Sequence, residues 1–194
     1  PASPLHRRRV MVAGMRVGLT LALASWVGAQ PIFEAVEQDR GSLIKAALAE
    51  DLSALNLVGP GGQTPLMHAV LMGKEHAVRA LLKAGANTAI GEKDGYTPCH
   101  GAGFQGRSSI MRLLIDHGLN PSDRHSDGFT PLHRACWGGE ARHTDTVRVL
   151  LEAGVSPLER SADGKRPIDM ARRSETRDLL RDKMEEMEEK EELR

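Results

Sequence analysis

A chain of 194 residues with 26 basic and 26 acidic side chains carries no formal net charge, which argues against a sequence-blind nucleic-acid binder, for which a strongly basic stripe is expected. Its 40% hydrophobic content suffices for one domain with a real core, yet with two Trp, one Tyr and three Phe that core must be built from Leu, Ile, Val, Ala and Met. The two cysteines, Cys99 and Cys136, make no disulfide framework and are read as buried free thiols.

Residues 1–30 form a basic and apolar leader. Pro1 stands where an initiator methionine is expected, so the chain reads as processed or as a fragment. His6-Arg7-Arg8-Arg9 and Arg16 precede thirteen uncharged residues, Val17 to Ala29, too few for a bilayer span, which needs about 20. The run fits the apolar part of a secretory signal, with Val27 and Ala29 ahead of a cut at Gln30. The alternative is an apolar arm on the first helix pair, or a disordered extension. The compartment follows that choice: the secretory pathway if residues 15–29 act as a signal, otherwise unassigned.

Residues 31–61 show a degenerate helix pair, Ile32 to Val36 and Leu43 to Leu48, with Glu34, Glu37 and Asp39 on it, as a terminal cap requires when one face meets water. Gly59-Pro60-Gly61-Gly62 then makes a turn. Residues 62–94, 95–127 and 128–163 repeat a single plan. Thr64-Pro65, Thr97-Pro98 and Thr130-Pro131 recur every thirty-three residues (97 − 64 and 130 − 97), which is the mark of stacked repeats. Thr predicts an N-cap and Pro the first helical residue. A second apolar run in each copy ends at a helix-terminating glycine, Gly85, Gly118 or Gly154, and Asp94-Gly95, Asp127-Gly128 and Asp163-Gly164 mark the turns between units.

The third repeat is longer, with thirty-six residues from Pro131 to Pro167; the extra length is assigned to the turn around Gly139–His143, a candidate accessory contact. Residues 164–175 are the C-terminal cap, where Arg166 and Asp169 replace Thr and His. Residues 176–194 form an acidic helix in which Leu179, Leu180, Met184 and Met187 keep helical spacing among acidic side chains. Two turns of that seam fall short of a coiled coil.

The stretch Asp127-Gly128-Phe129-Thr130-Pro131-Leu132-His133-Arg134-Ala135 closely resembles the ankyrin-repeat consensus, and the likeness covers about residues 31–175. It implies an all-α helical solenoid of helix-turn-helix units joined by turn or hairpin fingers. It is specific for fold and weak for function, because a fold hosts many functions. The resemblance also implies that His100 and His133, thirty-three residues apart, make structural hydrogen bonds that tie helix to turn; with Cys99 and Cys136 they offer zinc-ligand types, but zinc ligands cluster at short spacings. Gly101-Ala102-Gly103-Phe104-Gln105-Gly106 is a literal G-x-G-x-x-G, yet it falls inside a helix instead of at the strand-to-helix turn that a dinucleotide site needs. No Ser-His-Asp or Cys-His signal stands out. The chain is read as non-enzymatic and without cofactor or metal.

In the family, variable positions face partners on two strips. Carried over, the finger strip is Gln63, Tyr96, Phe129 and Lys165, and the helix strip is Leu71, Met72, Phe104, Gln105, Trp137, Gly138, Arg172 and Arg173. Four of the six aromatics, Tyr96, Phe104, Phe129 and Trp137, fall on these strips, and aromatics are the usual anchors of a binding hot spot. The competing reading is that Phe104 and Trp137 merely pack on neighbouring helices. The candidate partner-binding set is Tyr96, Phe104, Gln105, Phe129, Trp137, Leu71 and Met72. The function expected is that of a monomeric scaffold or adaptor, holding a protein partner on its concave side and neither spanning a membrane nor binding nucleic acid. The alternative is a non-catalytic regulatory segment of a larger enzyme or receptor.

Overall fold

The computed structural model describes residues 31–59, 62–92 and 94–193; the leader, and with it the reading of residues 15–29 as a signal, lies outside them. The chain folds into helix pairs. Helices α1 (Pro31–Glu37) and α2 (Gly41–Glu50) make the first, followed by a 3-10 turn at Leu52–Asn56. Three pairs follow: α3 (Pro65–Met72) with α4 (Glu75–Lys83), α5 (Pro98–Gln105) with α6 (Ser108–Asp116), and α7 (Pro131–Trp137) with α8 (Ala141–Glu152). The single turn α9 (Pro167–Met170) and the long α10 (Ser174–Glu192) end the stack. Among the described residues there is no β-strand, and no helix is long and apolar enough to cross a membrane.

The helix starts obey the Thr-Pro signature, with one correction. Pro65, Pro98 and Pro131 each occupy the first turn, where a missing N–H leaves nothing unpaired. The Thr64 hydroxyl accepts from the Met67 N–H at 3.2 Å and that of Thr130 from the His133 N–H at 3.5 Å. Thr97 caps no N–H, although its hydroxyl, like that of Thr130, meets the histidine Nδ1 three residues on at 2.8 Å. At α9 it is the histidine's part that an acid takes over, as the Arg166 N–H donates to the Asp169 carboxylate at 2.8 Å where the Thr130 N–H donates to His133 Nδ1 at 3.3 Å. The second helices end alike: the N–H groups of Ala86, Leu119 and Val155 reach back to the carbonyls of Leu81, Leu114 and Leu150 at 3.0, 3.0 and 3.1 Å. That closure requires a left-handed residue, which Gly85, Gly118 and Gly154 supply.

Two layers result. The first helices α1, α3, α5, α7 and α9 pack in succession, and the second helices α2, α4, α6, α8 and α10 form a row behind them. Between them lies the expected apolar layer: Leu81, Leu114 and Leu150 are fully buried, Leu82 and Leu151 nearly so, and Ile115 half-buried. Cys99 and Cys136 are buried free thiols within it. Burial disfavours the thiolate, pushing Cys99 up to about 12 and Cys136 higher still.

Close approach explains the glycines of α5. A Cβ at Gly103 would stand 2.5 Å from the Pro131 carbonyl oxygen, so this residue lets α5 lie against the start of α7. The G-x-G-x-x-G string is thus a helix-packing feature. Gly128 plays the same part in the fingers, where the Ala162 N–H donates to the Asp127 carbonyl at 3.3 Å and a Cβ on Gly128 would strike Ala162 backbone. Its φ of +79° excludes a side chain on conformational grounds as well.

The insertion in the third repeat is accommodated differently from expectation. Helix α8 has 12 residues where α4 and α6 have 9, whereas the turn before it gains a single residue. Extra backbone in a helix keeps its N–H and C=O groups paired, which a longer loop would not. Helix α10 packs through its first half, with Leu180 buried and the Thr176 and Thr144 hydroxyls paired at 2.8 Å in the interior. From Glu185 onward only Met187 is partly shielded from solvent.

Candidate partner-binding surface

The finger and first-helix positions lie along one side of the stack, and the structure divides the four strip aromatics into two pairs. Phe104, near the end of α5, is 50% exposed, and Trp137, the last residue of α7, is 42% exposed. Their rings meet edge to face with centroids 6.1 Å apart. Met72 at the end of α3 is also exposed, while Leu71 and Gln105 are half-buried. Phe104 is held in place from the next repeat: His143 Nε2 donates to its carbonyl oxygen at 3.1 Å.

Tyr96 and Phe129 are half-buried, with Arg134 between them. The Arg134 guanidinium carbon lies 4.8 Å from the Tyr96 ring centre and 4.7 Å from that of Phe129. Arg134 donates to the Tyr96 hydroxyl at 2.5 Å and forms an ion pair with Asp127, and the Tyr96 hydroxyl in turn donates to Asp127 at 3.1 Å. His125 stacks on Tyr96 at 4.0 Å, with one ring nitrogen on the Asp94 carbonyl at 2.6 Å and the other on the Asp127 carboxylate at 2.9 Å.

Electrostatics follow from these contacts. Partial burial pushes the Asp127 carboxyl up, but the Phe129 N–H, His125 and Arg134 outweigh it and hold Asp127 at about 2. For His125, burial disfavours the cation, but two acceptors on its two nitrogens win and its pKa is raised. Burial lowers the pKa of His100 and His133. Each neutral ring donates from Nε2 to the finger of the following repeat, His100 to Phe129 O and His133 to Lys165 O, both at 3.1 Å. These histidines are therefore engaged structurally, and they join one repeat to the next as well as helix to turn. Among the described residues no three His, Cys, Asp or Glu side chains converge as metal ligands.

The ends of the finger strip are polar. Gln63 donates to Glu92 at 2.6 Å, and Lys165 pairs with Asp163 at 2.6 Å. Between the first helices lie two adjoining clefts. One, of 240 Å³, is walled by Leu71, Tyr96, Phe104, Arg134 and Trp137; the other, of 330 Å³, by Phe104, Trp137, Arg134, Arg142 and Arg172. Sequence reasoning passed over Arg134, although the period carries a signal: its repeat position is His68 in one sister and Gly101 in the other, so a buried arginine there is a departure.

A stack of paired helices in two layers, with short fingers and an aromatic-lined open face, defines a helical-repeat protein. The family model for ankyrin repeats, in three copies, matches residues 32–124 and 87–161, more than half of the chain, and the protein belongs to that family. Ankyrin repeats generally serve in protein–protein interaction and the family is typically non-catalytic. No curated protein matches the chain significantly.

Proposed function

We propose that the chain is a non-enzymatic adaptor that holds a protein partner on the face formed by its fingers and first helices. The observation that carries this reading is the exposure of Phe104, Trp137 and Met72 at the ends of three successive first helices. A monomer has reason to bury such side chains, and contiguous exposed apolar groups mark interaction sites. The rest of the proposed set has graded roles. Leu71 and Gln105 flank the exposed pair, while Tyr96 and Phe129, clamped on Arg134, form a rigid floor whose outer edges remain accessible. Shape and apolar anchoring do the work; no bond is made or broken.

The test is a comparison of stability with binding. Phe104→Ala and Trp137→Ala are expected to leave stability within about 1 kcal/mol, as surface changes do. Partner affinity, measured after cross-linked capture with the wild-type chain, should fall by about 2 kcal/mol or more at one of them, the threshold of a hot spot. Gln63→Ala, at the far end of the strip, should bind normally. Aromatic variants that unfold, yet bind in proportion to the folded fraction, would assign both rings to the core.

A further inference from the structure

The two clefts share one ridge, the Phe104–Trp137 pair, but their charges differ. Toward the N-terminus the ridge faces the Glu92 carboxylate, already engaged by Gln63, and Arg134, which lines both clefts. Toward the C-terminus it faces three arginines against one carboxylate, Glu140. Arg134 is neutralised by Asp127, and Arg142 reaches Glu140 at 2.7 Å. Arg172 is exposed, with its guanidinium carbon 5.6 Å from the Trp137 ring centre, and among the described residues it has no carboxylate partner. Contact with a ring satisfies none of its five N–H donors.

We propose that the partner is an acidic protein segment, in which a large apolar side chain sits on Phe104 and Trp137 and a neighbouring Asp or Glu carboxylate binds Arg172. The inference rests on the reading of this face as a partner site and adds the chemistry of what it takes. A segment that covers Trp137 also strips water from the guanidinium beside it, and a desolvated charge without a counter-ion is costly. A carboxylate matches the planar fork of Arg in two parallel hydrogen bonds. A basic segment would instead set like charges against Arg172 and Arg142, which selects against it. The same chemistry is present at the end of α10, where Glu185, Glu186, Glu188 and Glu189 flank Met187, so a second copy is the competing occupant.

The test uses the full chain, fluorescently labelled, on an array of random-sequence peptides, with wild type, Arg172→Glu, Arg172→Gln and Trp137→Ala compared and their melting curves recorded. Bound sequences are expected to be enriched in Asp or Glu beside a large apolar residue. Arg172→Glu should weaken these by about tenfold and admit Lys-bearing sequences, with Arg172→Gln between, as a charge on the rim of an interface dictates. Trp137→Ala should lose both classes, and all variants should melt with wild type. Binders without acidic bias, or acidic binders indifferent to Arg172, overturn the proposal while leaving the surface standing if Trp137→Ala still releases them. Binding unchanged in Trp137→Ala removes surface and proposal together, and so does an array on which nothing binds above background. Sedimentation showing self-association that ends when the chain is cut after Lys183 would make the occupant a second copy and overturn the proposal too.

Discussion

Replacing Gly103 with Ala asks how closely the first helices approach. In an isolated helix the change is favourable, because Gly in a helix interior costs about 0.5–1 kcal/mol relative to Ala. Here the new methyl would lie 2.5 Å from the Pro131 carbonyl oxygen, a backbone atom that no rotamer can move. Comfortable contact needs about 3.5 Å, so α5 and α7 must part by roughly 1 Å. Overpacking of that kind costs about 1–3 kcal/mol, and after the propensity gain a net loss of about 1–2 kcal/mol is expected. For a chain of this size that lowers the melting midpoint by about 2–8 °C. Gly101→Ala is the internal comparison, since the nearest neighbours of its methyl would be side-chain atoms, of Leu71 and Met67 at 3.2 Å and of Val70 at 3.6 Å, and it should be neutral or stabilising. Urea denaturation followed by circular dichroism, with thermal melts beside it, reads both. The reasoning fails if Gly103→Ala is as stable as wild type or gains as much as Gly101→Ala.

Three more outcomes follow from the packing and the titrating groups. Leu114→Ala, in the buried interlayer, should lose about 2–5 kcal/mol in urea denaturation, whereas Arg112→Ala, which removes an exposed pair with Glu152 at 2.5 Å, should lose under about 1 kcal/mol. Equal losses would mean that the buried face of α6 is misassigned. Because His100 and His133 have lowered pKa values, the unfolded chain binds more protons than the folded one as pH falls below about 6.5, so stability should decline there. His125, raised, opposes that trend, and Asp127 adds a further loss only as pH falls from its ordinary range toward about 2. His133→Gln should flatten the slope of urea midpoints between neutral and mildly acidic pH; an unchanged slope would show that His133 contributes nothing to it. Finally, Cys99 and Cys136 should resist a thiol reagent in the native protein and react fully in urea, and rapid native labelling would contradict their burial.

The helical periodicity and the Thr-Pro and Gly signals were legible because each is local chemistry repeated at fixed spacing. Thr97 shows where that reasoning ends: the same dipeptide that caps α3 and α7 leaves α5 without a side-chain cap, although Thr97 and Thr130 each meet a histidine Nδ1 at 2.8 Å, so the dipeptide does not fix the cap by itself. The insertion misled for a related reason, since a sequence gap says how many residues are added and not whether they continue a helix. Phe104 and Trp137 could be placed on a strip by counting, but their exposure, 50% and 42%, is a property of the packed helices that no periodicity reveals. Arg134 is the clearest omission. A charge in an otherwise buried register was visible, but the two rings that enclose it and the acid that neutralises it come from two different fingers.

The histidine tethers have a mechanical consequence. Fingers carrying Phe129 and Lys165 are each held by a ring from the repeat before, but the finger carrying Tyr96 is not, because Met67 occupies the position of His100 and His133 in the first regular repeat. Tyr96 is instead tied forward through Asp127 and His125, and between it and the preceding finger the side-chain link is the Gln63–Glu92 hydrogen bond. The row of fingers is therefore cross-linked by side chains more densely over its C-terminal three members than at the joint ahead of them. At that joint the helices make the tie instead: Arg107, at the start of α6, donates to the Leu71 carbonyl at 3.3 Å, which fixes the end of α3 against the next repeat.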